Sequence, residues 1–254
     1  MFAGPNGSGK STIHEKLRPE WIGVYVNADE IEKTLRASGA LDLTTFELEA
    51  PADVLLQRLR RHLSGSDLLR QHGMAGVAEA LTMLPPLSLR CPPQEVNSYV
   101  AAVLADAIRR ELLAQGSSFT FETVMSSPDK IEFLREAQSR GYRTYLYFVA
   151  TDDPAINVER VRLRVSQGGH DVPEDRIRSR YRRSIDLLDE ACAVADRAFV
   201  FDNSGDQHEL LVELSEGEEL MVHADTLPAW FSECGLWKSF QRGHGEPDEG
   251  DSAD

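Results

Sequence analysis

The sequence predicts an α/β fold: a five-stranded parallel sheet with helices on both faces, a helical insertion over 38–96 and an arginine-rich lid over 160–183. Three observations predict it. A glycine-rich loop, Gly4-Pro5-Asn6-Gly7-Ser8-Gly9-Lys10-Ser11, lies between a short apolar segment and a helical pattern. Strand and helix signals alternate along most of the chain, as in a parallel sheet with helices on its faces. Eight arginines crowd into two adjacent helical stretches of an otherwise acidic chain.

The loop fits G-x-x-x-x-G-K-[ST], the phosphate-binding pattern of nucleotide-using proteins, and so predicts a P-loop NTPase fold. Its glycines let the backbone curl until N–H groups converge on phosphate oxygens. Gly4, Pro5, Asn6, Gly7, Ser8, Gly9, Lys10, Ser11 and Thr12 are the candidate nucleotide-binding residues. Lys10 reaches the β- and γ-phosphates as a point charge, and the Ser11 hydroxyl holds Mg²⁺. The expected substrate and cofactor are therefore ATP and Mg²⁺. Only Met1-Phe2-Ala3 precedes the loop. Either the feeding strand is short or the start is truncated.

The alternation runs as follows. Phe2-Ala3 is the first strand, and Ser11 to Leu17 reads as the first helix. Gly23 to Val26 is the second strand, and a helix follows from Asp29 with Ile31 and Leu35 on one face. Asn97 or Ser98 caps a long helix in which Val100, Val103, Leu104, Ala107, Ile108 and Leu112 recur at helical spacing, and Gly116 ends it. Ser118 to Glu122 is the third strand. Ser127 and Pro128 open the next helix as cap and first-turn proline. Tyr145 to Ala150 is nearly all apolar, as a central parallel strand should be. Asp153-Pro154 starts a helix that Gly168-Gly169 ends, and Pro173 opens a long helix to about Val194. Ala198 to Phe201 completes the five strands, in the order of a nucleoside-monophosphate-kinase-like fold.

Residues 38–96 break this rhythm. Val54, Leu55, Leu59 and Leu63 suggest one helix and Ala75 to Leu84 another. This helical insertion either covers a phosphate acceptor or is a packing subdomain. The kinase core is expected over 1–215, a C-terminal packing segment over 216–240 and an acidic, disordered tail over 241–254.

The 254 residues include 42 Asp and Glu against 27 Lys and Arg. That balance argues against a general nucleic-acid binder. Cys91, Cys192 and Cys234 are far apart with no metal spacing, and no apolar run approaches the ~20 residues of a membrane span. A cytoplasmic protein with no membrane partner is expected.

Three features narrow the chemistry. Asn27-Ala28-Asp29-Glu30 follows the second strand, where a carboxylate faces the ligand crevice of a parallel sheet. Asp29 either aligns an acceptor hydroxyl, as phosphoryl transfer requires, or caps the following helix. Glu122, with Thr123 beside it, ends a buried strand. It either accepts hydrogen bonds from acceptor hydroxyls or is a solvated or salt-bridged strand end. Arg160 and Arg164 share one helix face, and Arg176 and Arg180 share another. These four are the candidate phosphate-binding forks, with Arg164 and Arg180 assigned to the transferring group and Arg160 and Arg176 to the nucleotide. Arg162, Arg178, Arg182 and Arg183 are expected on the surface. His170 could hold the turn between the two helices.

Together these motifs resemble the zeta toxin family of P-loop kinases, in its chromosomal branch. The resemblance rests on Phe2 to Thr12, on Asn27-Ala28-Asp29-Glu30-Ile31, on Phe119 to Val124 and on Gly168 to Glu174 with the flanking arginines. It implies transfer of phosphate from ATP to a sugar hydroxyl. The acceptor in characterised toxins is UDP-N-acetylglucosamine, a nucleotide sugar. By that likeness Lys10 binds phosphates, Asp29 is the base, Glu122 contacts the acceptor and lid arginines bind the triphosphate. It also implies an inhibitory antitoxin as a protein partner. The arginine spacing and the length of 38–96 depart from the family pattern. Two other readings stay open: a kinase for a nucleoside, an antibiotic or an RNA end, and an ATP-gated switch without acceptor turnover.

Overall fold

A computed structural model describes residues 1–243 apart from Glu15, Ala75 and His170. The role expected of His170 and most of the tail therefore lie outside the described residues. The strands are β1 (Phe2–Ala3), β2 (Val24–Val26), β3 (Ala40–Asp42), β4 (Thr82–Leu84), β5 (Ser88–Arg90), β6 (Phe119–Thr123), β7 (Tyr145–Ala150), β8 (Arg197–Asp202), β9 (Glu209–Ser215) and β10 (Glu219–Val222). The helices are α1 (Lys10–His14), α2 (Pro19–Ile22), α3 (Ala28–Ser38), α4 (Ala52–Ser64), α5 (Asp67–Gln71), α6 (Val77–Ala80), α7 (Ser98–Gln115), α8 (Asp129–Ser139), α9 (Pro154–Ser166), α10 (Glu174–Asp186), α11 (Leu188–Val194), α12 (Ala229–Ser232) and α13 (Gly235–Gly243). The fold is α/β, and the chain divides into two compact units, residues 1–16 with 123–254 and residues 17–122.

In the first unit the strand order is β10-β9-β8-β7-β1. β1, β7 and β8 run parallel, while β9 and β10 are antiparallel. All five strands expected from the sequence form, with parallel pairings. The expectation of an all-parallel sheet is corrected by β9 and β10, which extend it as a hairpin. Their mixed charged and apolar residues suit a sheet margin, and the boundary drawn after 215 falls inside that hairpin. Leu146, Phe148 and Val149 of β7 are fully buried, as its apolar run required. The rings of Phe2, Tyr147 and Phe199 stack across β1, β7 and β8 with centroids 5.1 and 5.0 Å apart. Val158 and Val161 of α9 meet Val172 and Ile177 across the glycine turn. The helix expected from Pro173 to Val194 is two helices, α10 and α11, which meet at Leu187. The side chain of Ser127 does not cap α8, because its hydroxyl binds the Asp129 carboxylate.

In the second unit β2 and β6 pair in parallel. α3 buries Ile31 and Leu35, and α7 buries the whole stripe expected of it. Asn97 is the α7 cap, accepting from the Tyr99 and Val100 amides at 3.0 and 3.1 Å. Residues 38–96 are not wholly helical. Leu55, Leu59 and Leu63 of α4 are buried, yet β3, β5 and β4 form an antiparallel sheet. The helix expected over Ala75 to Leu84 is shorter, because Thr82 to Leu84 pair with β5. Leu89 of β5 anchors that sheet in the core.

Candidate active site

The glycine-rich loop leaves β1 and runs straight into α1, so Lys10 is both loop residue and first helical residue. Lys10 Nζ donates to the Gly4 and Pro5 carbonyls at 2.9 and 3.0 Å, which folds the ammonium against the loop. Gly7 and Gly9 have φ of +76° and +92°, the left-handed region that favours glycine. A Cβ at Gly7 would lie 2.6 Å from the Asn157 carbonyl oxygen, and one at Gly9 would lie 2.1 Å from Asn203 Nδ2. The loop is thus pressed onto two asparagines.

Those asparagines also bond it. Asn157 Nδ2 donates to the Asn6 carbonyl at 2.7 Å, and Asn203 Nδ2 donates to the Ser8 carbonyl at 2.8 Å. Ser8 is fully buried, while Ser11 and Thr12 are exposed at the start of α1. A curled backbone with its carbonyls tied back and a lysine at its rim fits a phosphate chain. The exposed Ser11 hydroxyl fits a hard cation that keeps most of its ligands from water and phosphate. Among the described residues there is no cluster of three or more acidic, histidine or cysteine side chains that could hold a metal by itself.

The arginines divide by what they touch. Arg180 Nη1 reaches Asn6 Oδ1 at 3.4 Å, so α10 touches the loop. Arg160 Nη1 donates to the Asn203 carbonyl at 2.7 Å, which commits that guanidinium to the chain after β8. Arg164 packs its Cγ beneath Gly169, where a Cβ would approach to 2.5 Å. Arg176 is exposed on α10. Arg162 and Arg178 pair with Glu174 at 2.8 and 2.9 Å, and Arg182 and Arg183 are exposed, as expected of surface residues.

Asp153 caps α9 by accepting from the Ala155 amide at 2.7 Å. Asp152 lies two residues past β7, and Asp202 is the last residue of β8. Trp230 of α12 donates to both, from its backbone N to Asp152 at 3.3 Å and from its indole to Asp202 at 2.8 Å. Tyr181 donates to the Thr151 carbonyl, and burial pushes its phenol well above the ordinary value. The Thr123 hydroxyl accepts from the Met125 amide at 3.0 Å, so it fixes the turn after β6.

In the second unit Asn27, not Asp29, caps α3. Its Oδ1 accepts from the Asp29 and Glu30 amides at 2.9 and 3.4 Å. That puts Asp29 in the first turn, where a carboxylate gains from the helix dipole. The Asn27 amide donates to the Tyr25 hydroxyl at 3.1 Å, and that hydroxyl donates to Glu122 Oε1 at 2.5 Å. Burial, and then the neighbouring Glu122 charge, push the Tyr25 phenol far above its usual value, so it stays a donor. One asparagine therefore links the backbone that carries Asp29 to the pair that orients Glu122. Glu122 and Asp29 were legible as acids at strand ends; Tyr25, Asn157 and Asn203 were not. The alternation of β2 could have flagged Tyr25, which shares a strand with the Asn27 motif.

The zeta toxin family model matches residues 94–210. Over that stretch the chain is zeta toxin-like. The zeta toxin-like stretch carries Glu122, Asn157, the arginines of α9 and α10, and Asn203; the loop and Asp29 lie before it. An uncharacterised protein of Haemophilus influenzae is 29% identical over 69 residues, 27% of this chain and 49% of that protein. The chain thus spans about half the length of that curated relative. A solved structure from the PezAT chromosomal toxin–antitoxin system of Streptococcus pneumoniae is 14% identical, with a TM-score of 0.47, over 95% of this chain and 80% of that one.

Proposed function

We propose that this protein is an ATP-dependent kinase that transfers the γ-phosphoryl group to a hydroxyl of a nucleotide sugar resembling UDP-N-acetylglucosamine. The observation that carries the reading is the loop, curled on two buried asparagine donors with Lys10 against its carbonyls. The zeta toxin-like stretch supports the choice of a kinase over a motor ATPase.

In this reading Lys10 binds the β- and γ-phosphate oxygens of ATP, Arg164 and Arg180 offset charge on the transferring group, and Arg176 binds the nucleotide. Ser11 would hold Mg²⁺, which when bound would neutralise charge on the phosphates. The bond between the γ-phosphorus and the bridging oxygen breaks as the acceptor oxygen bonds to phosphorus. Asp29 orients the acceptor hydroxyl and takes its proton, and ADP leaves. Glu122, oriented by Tyr25, accepts hydrogen bonds from other acceptor hydroxyls. Catalysis here is positioning and charge compensation, with no covalent enzyme intermediate. A proteinaceous inhibitor belongs to the same reading.

Incubation with ATP, Mg²⁺ and a panel of nucleotide sugars, read by mass spectrometry, tests it. The expected result is one added phosphate on an N-acetylhexosamine nucleotide. Turnover only with a nucleoside, an antibiotic or an RNA end would move the acceptor class. ATP binding with no turnover on any acceptor would overturn the kinase.

A further inference from the structure

A loop whose N–H groups surround an anion must turn its carbonyls the other way, since the two groups of a planar trans peptide point apart. Carbonyls turned into the protein need donors. Two stand behind this loop. Asn157, fully buried on α9, donates to the Asn6 carbonyl at 2.7 Å. Asn203, 9% exposed just after β8, donates to the Ser8 carbonyl at 2.8 Å.

Both donors are themselves fixed. Asn157 Oδ1 accepts from the Thr151 hydroxyl, which leaves its Nδ2 for the loop. The Asn203 backbone N–H donates to the Ala150 carbonyl at 2.8 Å, and its carbonyl accepts from Arg160 Nη1 at 2.7 Å. The same two residues leave no room for a Cβ at Gly7 and Gly9. The glycines and the asparagines are parts of one device.

We propose that Asn157 and Asn203 are positioning residues for the nucleotide phosphates, holding the Asn6 and Ser8 carbonyls outward so that the loop amides converge on the anion. Arg160 then acts through Asn203, where the sequence assigned it to the nucleotide. The inference rests on the reading that the loop binds ATP.

The test is titration of the full chain with MgADP, by calorimetry and by amide NMR. Asn203→Ala and Asn157→Ala are each expected to weaken ADP about tenfold, the loss of one hydrogen bond to a loop that must hold its shape. They should also shift the Gly7 and Gly9 amide signals before any ADP is added, in variants that still unfold in one cooperative thermal transition. In the wild type the Asn157 and Asn203 side-chain NH₂ signals should move on adding ADP, a readout that holds even if a variant fails to fold. Wild-type protein that binds no ADP refutes the nucleotide reading. Wild-type binding together with variants of equal affinity, or with unmoved side-chain signals, refutes this proposal alone.

Discussion

On the proposed reading, Lys10 and Asp29 should separate binding from transfer. Lys10 lies against the Gly4 and Pro5 carbonyls, where a bound phosphate would compete for its ammonium. Lys10→Ala should abolish transfer and strongly weaken ATP binding. Asp29→Asn should abolish transfer and leave ATP binding intact, measured as acceptor-dependent ADP release beside a binding titration. Near-wild-type release from Asp29→Asn would remove the base assignment. Tyr25 makes a third case. Its hydroxyl donates to Glu122 and accepts from Asn27, so Tyr25→Phe strips one donor from a carboxylate. The expected effect is a rise of about tenfold in acceptor KM with ATP KM unchanged, since hydrogen bonds to charged groups contribute about 1.5–3 kcal/mol. Equal changes in both KM values would assign Tyr25 to folding alone.

α7 shows how far a local pattern carries. Its cap, its stripe and its glycine stop were all readable, because each depends on neighbours within one or two turns. What the pattern could not give is Asp106, which gathers His62 of α4 at 3.0 Å and Arg109 and Arg110 at 2.8 and 2.9 Å. Burial would raise its pKa, but these hydrogen bonds and the Arg109 charge outweigh it and hold the carboxyl well below the usual range. Arg109 is buried and lies over the Phe121 ring at 4.6 Å. Asp106→Asn removes the carboxylate charge that pairs with Arg109, Arg110 and His62 and should cost about 3 kcal/mol in urea unfolding. A depressed carboxyl contributes stability above its unfolded value near pH 4 that is lost as the pH falls toward the folded value. Acid titration of wild-type stability should show that loss, and Asp106→Asn should lack it. The β3-β5-β4 sheet was hidden for another reason: three-residue strands are too short for alternation to stand out. Asn157 and Asn203 were hidden because they meet the loop from 151 and 195 residues away.

The parallel strands and the helices between them were visible in the alternation, while the division into residues 1–16 with 123–254 and residues 17–122 was not. A cut of that kind is made by long-range packing, and no change in composition marks residue 17 or 122. The net charge of −15 is a property of the chain as a whole, and it bears on partners. Polyanions should be repelled, so duplex DNA and RNA should show no salt-dependent binding at physiological ionic strength in a filter or fluorescence assay. Tight binding that weakens steeply with salt would mean that the arginines of α9 and α10 serve a nucleic acid. The most direct measurement is calorimetric titration of MgATP into the wild-type chain and Lys10→Ala. A single saturable site in the wild type, weakened at least about tenfold in a variant of unchanged melting temperature, is the expected result. No binding by the wild type, or equal affinity in Lys10→Ala, would contradict the account.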